Sequence, residues 1–197
     1  MRVVTLLMLT LTLSACVVAP SYQQFSAGQT VVRAGVTFQL PKERSWSALV
    51  LSTYQTMLGA NEKPDFETIM ILVSSYPLPE LSSPEAHLEY IKDTRKKTDP
   101  DTGRFKVIKN NEEIYSARAE TCVKFESTVS DHASSAVRAG GFTVIDTYGM
   151  YCVHPNSPRT GVYVELSRKA PPESKSLTFK DMGERLLQSV QFIDYKI

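Results

Sequence analysis

The sequence predicts an α+β fold, with a mainly antiparallel sheet on which one inserted helix and one C-terminal helix pack. Segments rich in branched and aromatic residues supply the strands, and the clearest of them are 66–76 and 142–153. One segment with helix-start signals interrupts the strands, and one amphipathic segment follows them. Helices placed in this way bury one side against a shared sheet, which is the α+β arrangement.

The chain before the inserted helix is predicted to form strands. Residues 36–40 alternate apolar and polar side chains before Pro41, which is typical of a short strand. Residues 46–58 fit both a helix and a strand. We expect a strand, because the turn-like segment 59–64 follows and leads into the β-prone segment 66–76.

Three start signals close together predict the inserted helix. Ser82 supplies a capping hydroxyl, a proline occupies the first turn, and Glu85 lies three residues after Ser82. The helix should run to about residue 98 with Leu88 and Ile91 facing inward, and it should end at the Asp-Pro pair that follows.

Further strands and the C-terminal helix are predicted beyond that helix. The strands are expected at 106–108, 114–129, 142–153 and 162–168. A second helix should begin behind Thr178. Its apolar stripe comprises Phe179, Met182, Leu186, Val190 and Ile193.

The first fifteen residues are typical of a secretory signal peptide. Arg2 supplies one positive charge, and an apolar stretch of about a dozen residues then ends in small side chains. A transmembrane anchor is the alternative. The run from residue 3 to residue 19 falls just short of the ~18–20 residues that a span requires, Ser14 and Cys16 interrupt it, and Pro20 closes it.

Residues Leu13-Ser14-Ala15-Cys16 resemble the lipobox of bacterial lipoproteins. The resemblance implies that the Cys16 sulfur receives a diacylglycerol, that the chain is cut before Cys16, and that the new N-terminus is acylated. Several acyl chains together give stable membrane anchoring. In a cell with two membranes, Val17 in place of the aspartate that retains such proteins at the inner membrane implies the outer membrane, facing the periplasm. The alternative is that Cys16 is a spare thiol behind an ordinary cleaved signal.

The mature chain is predicted to be a short tether followed by one domain. Residues 16–34, rich in Gln, Ser, Ala and Gly, are expected to link the lipid to a globular domain at 35–197. Removing residues 1–15 removes one basic and no acidic residue, which leaves 21 of each. A formally neutral chain has no basic field for nucleic acid, so we expect no nucleic-acid partner.

Cys122 and Cys152 are predicted to form a disulfide in an oxidising compartment. Both lie in β-prone segments, which the polar segment 130–141 separates. A hairpin centred on residue 137 would place the two cysteines directly opposite each other, within disulfide reach. A redox-active pair is the alternative, but it usually shows the Cys-x-x-Cys spacing, which is absent.

The order of elements from about residue 35 to residue 192 resembles the PsbP-like α/β/α sandwich found in small bacterial lipoproteins. Trp46 after an early strand and the late amphipathic helix carry this resemblance. It implies a binding or assembly role more than any one chemistry, and a fold alone does not assign a function.

The sequence offers no catalytic, metal-binding or cofactor-binding motif. His87, His132 and His154 are far apart and form no ligand pair of helical spacing, so we expect each to be exposed or to have a turn role. There is no nucleophile elbow, phosphate-binding loop or dinucleotide fingerprint. We therefore expect no cofactor, and we rank a hydrolase third among the functions.

Two groups of side chains are candidates for binding. One is a basic patch that could meet lipid head groups or an acidic partner, and its alternative is a solvated helix face. The patch comprises Lys92, Arg95, Lys96, Lys97, Arg104 and Lys106. The other is Tyr148, Tyr151 and Tyr163 on adjacent predicted strands, which line a ligand surface or cap the core.

Together these patterns predict a non-enzymatic, lipid-anchored protein of the cell envelope with a binding or assembly role in the periplasm. Its partners would be the membrane, through lipid on Cys16, and an envelope protein. The alternative is a carrier or sensor of a small ligand, which needs a pocket between sheet and helix.

Overall fold

The structure is a computed structural model that describes residues 23–61, 67–98, 103–133, 141–174, 176 and 178–194. The predicted signal peptide and lipidation site lie outside these residues. Eleven strands and two helices are present in the described residues. They are β1 (Gln24–Phe25), β2 (Thr30–Arg33), β3 (Val36–Gln39), β4 (Trp46–Leu51), β5 (Gln55–Ala60), β6 (Thr68–Pro77), α1 (Pro84–Thr98), β7 (Phe105–Ile114), β8 (Cys122–Asp131), β9 (Thr143–His154), β10 (Ser157–Ala170), α2 (Phe179–Ser189) and β11 (Gln191–Phe192).

The described strands form two sheets. The larger has eight strands in the order β1-β4-β5-β6-β10-β9-β8-β7, and the smaller has three in the order β11-β3-β2. All of the strand pairs are antiparallel. With α1 inserted between β6 and β7, and α2 near the C-terminus, this architecture confirms the predicted α+β fold.

The main core lies between one face of the large sheet and a layer made of α2 and the small sheet. Alternate residues of the central strands point into it, as in β6, where Ile71 and Val73 are fully buried. Trp46 of β4 is also fully buried and donates its indole N–H to the Pro41 carbonyl at 3.3 Å. The apolar face of the large sheet is therefore covered by α2 and the small sheet.

Helix α2 confirms most of its predicted stripe. It begins behind Thr178, and Phe179, Met182 and Leu186 are buried against the sheet. Val190 is buried as the residue that ends the helix, but Ile193 lies beyond it, in an extended segment bonded to the Gly35 carbonyl. The final turn is followed by β11, so the helical spacing does not continue to Ile193.

Helix α1 packs on the opposite face of the sheet, over β7 and β8. Its buried stripe is His87, Ile91 and Arg95, spaced four residues apart, whereas the predicted inward Leu88 is only half-buried. The cap is Ser83 rather than Ser82, since the Ser83 hydroxyl accepts the Ala86 N–H at 3.2 Å. Proline then occupies the first helical position, which suits its missing N–H.

Two predicted strands are divided differently in the structure. Segment 46–58 forms two strands, β4 and β5, joined by a turn at 52–54. Segment 114–129 contains a turn, because the Tyr115 N–H bonds to the Cys122 carbonyl at 2.8 Å and ends β7 there. The predicted strand 106–108 is part of the ten-residue β7.

Part of the segment assigned to a tether is strand in the structure. β1 pairs with β4, placing Phe25 opposite Trp46, and β2 forms a hairpin with β3 through Ala34 and Gly35. Both turn residues have positive φ, which matches the twist of a two-residue hairpin. Phe25 and Val31 are buried, so the folded part of the chain includes residues 23–34. Their polar composition hides this role, because these strands are short and only alternate residues face the core.

Candidate functional site

Two surface depressions lie at the same end of the large sheet, on either side of the β4–β5 turn. The larger, of about 470 Å³, lies between that turn, the β2–β3 turn and residues 193–194. The smaller, of about 390 Å³, lies between Tyr54, the end of β6 and the β9–β10 turn. Neither is enclosed between sheet and helix, where the carrier hypothesis expects its pocket. This end of the sheet nonetheless provides concave surface with mixed apolar and polar walls.

His154 forms part of the smaller depression and supports the turn beside it. It is buried rather than exposed, at 1%. The Asn156 N–H donates to His154 Nδ1 at 3.2 Å, so Nδ1 is unprotonated and the proton lies on Nε2, which donates to the Ile193 carbonyl at 3.1 Å. The turn role expected for His154 is present, and its hydrogen bonds hold the ring in place as one wall of the depression.

His87 and His132 differ sharply in their surroundings. His87 is fully buried under α1, so the expected exposure is wrong for this residue. Burial lowers the pKa of His87 to about 4, and neither ring nitrogen has a hydrogen-bond partner among the described residues. His132 is exposed, as expected, and its Nε2 lies 3.0 Å from the Ser130 hydroxyl. The structure thus does not bring the three histidines together.

The three predicted tyrosines divide between the two faces of the sheet. Tyr148 is buried in the core, where its hydroxyl donates to Glu184 of α2. Tyr151 and Tyr163 lie on the other face with ring centroids 4.6 Å apart, and Phe125 and Tyr76 pack beside them. Residues 148 and 151 differ in parity along β9, which sends them to opposite faces.

Glu184 joins Tyr148 to a second buried tyrosine. The Tyr115 hydroxyl donates to Glu184 Oε1 at 2.6 Å. Burial, and then the hydrogen bond to Glu184, raise the pKa of both tyrosines. Burial acts to raise the pKa of Glu184, but the hydrogen bonds from the two tyrosines and from Gln188, together with the nearby charge of Lys124, lower that pKa overall. The cluster fixes α2 on the sheet with Glu184 ionised.

Some residues of the predicted basic patch are neutralised by ion pairs with acidic side chains, and others are not. Arg95 is 5% exposed, pairs with Glu112 at 2.9 Å and lies 4.1 Å above the Phe125 ring. Lys92 pairs with Glu89 on the same helix. Arg95 is therefore part of the α1 packing, and it does not present its charge at the surface.

Other members of the patch remain at the surface. Lys96, Lys97 and Lys106 are exposed and form no ion pair with another described residue. Arg104 is bound to Asp131 by two hydrogen bonds of 2.9 and 3.2 Å. The cationic surface is thus smaller than the sequence alone indicates.

Asp131 is the most strongly stabilised carboxylate at this side of the sheet. It is 1% exposed, and Lys169 donates to it at 2.7 Å in addition to Arg104. The hydrogen bond from Arg104, and then that from Lys169, hold the pKa of Asp131 well below its usual range. A carboxylate held in this way is ionised and fully bonded, as in a structural ion pair.

The predicted disulfide between Cys122 and Cys152 is present. The two residues are direct partners in the β8–β9 register, with a Cα–Cα distance of 4.1 Å. Asp131 pairs with Thr143 at the far end of the hairpin, so the pairing is centred on residue 137 as predicted. Both cysteines are buried, which makes this bridge part of the core.

One exposed apolar surface was not predicted from the sequence. Leu49, Val50, Leu51 and Tyr54 are 47%, 39%, 37% and 57% exposed. We call these four residues the β4 apolar edge, since they lie along the end of β4 and its turn. The available signal was that residues 46–60 contain no charged side chain, in a chain that is 22% charged.

Within the described ranges, no group of three or more His, Cys, Asp and Glu side chains is arranged to hold a metal ion. The same part of the chain contains no helix long and apolar enough to cross a membrane.

The sequence matches no protein-family model and no curated protein sequence. Among solved structures, the chain is similar to the Ran-binding protein Mog1p of Saccharomyces cerevisiae, with 11% identity and a TM-score of 0.46 over 88% of this chain and 96% of that chain. It is also similar to the PsbP protein of Synechocystis sp. PCC 6803, CyanoP, with 12% identity and a TM-score of 0.42 over 90% of this chain and 96% of that chain. Likenesses this distant assign no function to the chain.

Proposed function

We propose that this protein is a lipid-anchored component of the bacterial envelope whose folded domain acts by binding a partner. The observation that carries this proposal is the pairing of Cys122 with Cys152. The sequence has three cysteines, so the third is Cys16, at the end of a lipobox-like motif. A disulfide also requires an oxidising compartment, which fits export by a signal peptide at residues 1–15.

Binding is favoured over catalysis because three buried or half-buried carboxylates, Glu67, Asp131 and Glu184, are occupied by structural contacts. Glu67 is held by Arg168 at 2.5 Å and by Arg44 at 2.8 Å. Asp131 and Glu184 are similarly occupied by neighbouring donors. A general acid or base must be free to exchange a proton with substrate, and each of these three carboxylates is instead bonded to neighbouring donors of the fold. The concave end of the sheet offers a surface for a partner, which we take to be an envelope protein.

Membrane attachment is tested by expressing the full chain and its Cys16→Ala variant in a bacterial host. The unchanged chain should fractionate with membranes, and the mass of its mature N-terminal peptide should begin at Cys16 and include acyl groups. Cys16→Ala should leave the membrane fraction while keeping its disulfide. The matched control is the double variant Cys122→Ser and Cys152→Ser, which should remain in the membrane fraction if it is not degraded. Retention of Cys16→Ala in the membrane contradicts the proposal.

The binding role is tested by crosslinking the anchored protein in intact cells and identifying what it captures. A specific envelope protein should be recovered with the unchanged chain and lost when the concave end is altered by Ser52→Arg. Glu173→Arg, at an exposed site after β10, is the control and should not change the capture. Equal capture by all three chains, or no specific partner, contradicts an envelope protein partner at this surface.

A second candidate function is the carriage of a small apolar ligand in the smaller depression. Tyr54, Tyr76 and His154 line its wall, and its volume of about 390 Å³ falls within the ~300–1,000 Å³ of small-molecule sites. Native mass spectrometry of the purified protein should then show a bound molecule. Thr160→Phe, which places a ring in this depression, should remove that molecule, whereas Ser52→Phe in the other depression should not.

A further inference from the structure

We propose that the β4 apolar edge lies against the lipid bilayer, so that the anchored domain has one fixed orientation on the membrane. This inference depends on the proposed function, because it requires acylated Cys16. It identifies the bilayer as the occupant of the β4 apolar edge, and it leaves the β2–β3 and β9–β10 walls of the two depressions for the envelope protein.

The first observation is the place where the described chain begins. The Gln23 carbonyl accepts the Ala48 N–H at 2.8 Å, and β1 runs antiparallel to β4. Followed from Phe25 back to Gln23, the chain passes along β4 in the direction of Leu51. It therefore enters the domain beside the β4 apolar edge.

The second observation is the short distance to the lipid. Cys16 precedes Gln23 by seven residues, which span at most about 25 Å when fully extended. A site held this close to an anchor meets the bilayer at a high effective concentration. The edge beside Gln23 is thus restricted to the neighbourhood of the head groups, whereas the far edge of the sheet is six strand spacings from β4, or roughly 29 Å.

The third observation is the contrast between the two edges of the same sheet. β7, at the far edge, presents the exposed charges of Lys106, Lys109 and Glu113. Charges of this kind are the usual protection of an exposed strand edge. Residues 46–60 contain none, and β1 covers β4 only as far as residue 48 among the described strands. An uncharged edge loses no ion hydration when it approaches a bilayer, which removes the largest cost of that approach.

The side chains of the edge suit the membrane interface. Leu49 lies over Gly59 on the face that α1 leaves open, and Leu51 borders the larger depression. Tyr54, at the turn, combines an apolar ring with a polar hydroxyl, a combination enriched where membranes meet water. Together they place exposed apolar side chains on both faces of this edge, with an aromatic residue at its tip.

The test uses two variants of the full, acylated chain, each with one added tryptophan introduced by substitution. Tyr54→Trp places the reporter on the β4 apolar edge, and Ile108→Trp places it on β7, the opposite edge. The two native side chains are similarly exposed, at 57% and 59%. Trp46 is fully buried in both variants, so the unchanged chain supplies the same background for each. Each protein is reconstituted into phosphatidylethanolamine and phosphatidylglycerol vesicles, with and without bromine on the upper acyl carbons.

Bromine quenching should remove most of the added emission of Tyr54→Trp and leave that of Ile108→Trp unchanged. Equal quenching of both reporters would mean that the domain tumbles on its anchor, and it overturns the proposal. The proposal is also overturned if the emission of Tyr54→Trp is not quenched. That result includes the case in which β4 pairs with a second copy of the chain or with a protein and is thereby kept from the lipid. Mass spectrometry of the same samples separates the two hypotheses. A chain without acyl groups on Cys16 refutes both, whereas an acylated chain in which the Tyr54→Trp reporter stays unquenched refutes only the orientation.

Discussion

His87 should make the domain less stable as the pH falls from 7.5 to 5. Its ring is fully buried, and burial lowers its pKa in the folded chain from 6.5 to about 4. Below pH 6.5 the unfolded chain binds a proton at His87 and the folded chain does not, so protonation favours unfolding. Stability due to this group is complete above pH 6.5 and decreases until the pH reaches about 4.

The size of the effect follows from the two pKa values. At 1.36 kcal/mol per pH unit, the interval between pH 6.5 and pH 5 corresponds to a loss of about 2 kcal/mol. Carboxyl groups with lowered pKa values, such as Glu184, start from an ordinary value of 4.5 and act mainly below this interval. The loss between pH 7.5 and pH 5 therefore reports His87.

The assay is urea unfolding at the two pH values, followed by the fluorescence of the buried Trp46. His87→Leu should abolish most of the pH-dependent loss. At pH 7.5 it should be about as stable as the unchanged protein or more so, since the ring nitrogens it removes lack hydrogen-bond partners among the described residues. His132→Gln, at an exposed site, is the control and should retain the loss. If His87→Leu and the unchanged protein lose equal stability, the assignment to His87 is refuted.

Three further predictions concern packing and crosslinking. Cys152→Ser should lower the free energy of unfolding by about 3.6 kcal/mol from loop-closure entropy over the 30-residue separation, and an unchanged melting temperature would refute a structural bridge. Gly149→Ala should cost about 1–3 kcal/mol, because its new Cβ would lie 2.5 Å from an aromatic ring, whereas Gly103→Ala, with nothing within 4 Å, should change the melting temperature little. Arg95→Met should cost about 3 kcal/mol in urea unfolding by leaving the largely shielded Glu112 carboxylate with only the Asn110 amide as a donor, and adding Glu112→Leu should restore most of that loss; no restoration would mean that the ion pair is not the cause.

The parts of the fold that sequence reasoning predicts are those with a strong local signal. The hairpin register follows from the polar segment midway between Cys122 and Cys152, because antiparallel pairing is symmetric about its turn. Helix α2 follows from its apolar spacing and from Thr178 at its start. In both cases the residues that decide the structure lie within one hairpin or one helix.

The parts that sequence reasoning misses depend on contacts between distant segments. Phe25 and Val31 look like tether residues until β4 and β3 are in place beside them. The burial of His87 depends on which side of α1 faces the sheet, and a helix with charged residues on most sides gives little indication of this.

The candidate site is missed for the same reason. It consists of turns from three hairpins and the chain segment after α2, which only the folded sheet brings to one end. The one sequence signal there is negative, namely the lack of charge from residue 46 to residue 60. Such a signal indicates a surface that avoids charge, but it does not say whether that surface is buried or exposed.

The position of the disulfide determines which side of the sheet each residue of β8 and β9 can face. Side chains alternate along a strand, so sliding β9 by one residue would exchange the residues on its two faces. A bond between directly opposed Cys122 and Cys152 forbids that slide, and thereby keeps Tyr148 toward α2 and Tyr151 toward the opposite face. Once the disulfide has formed, β8 and β9 are held covalently in this register. The rest of the domain can then pack on two strands that no longer shift relative to each other.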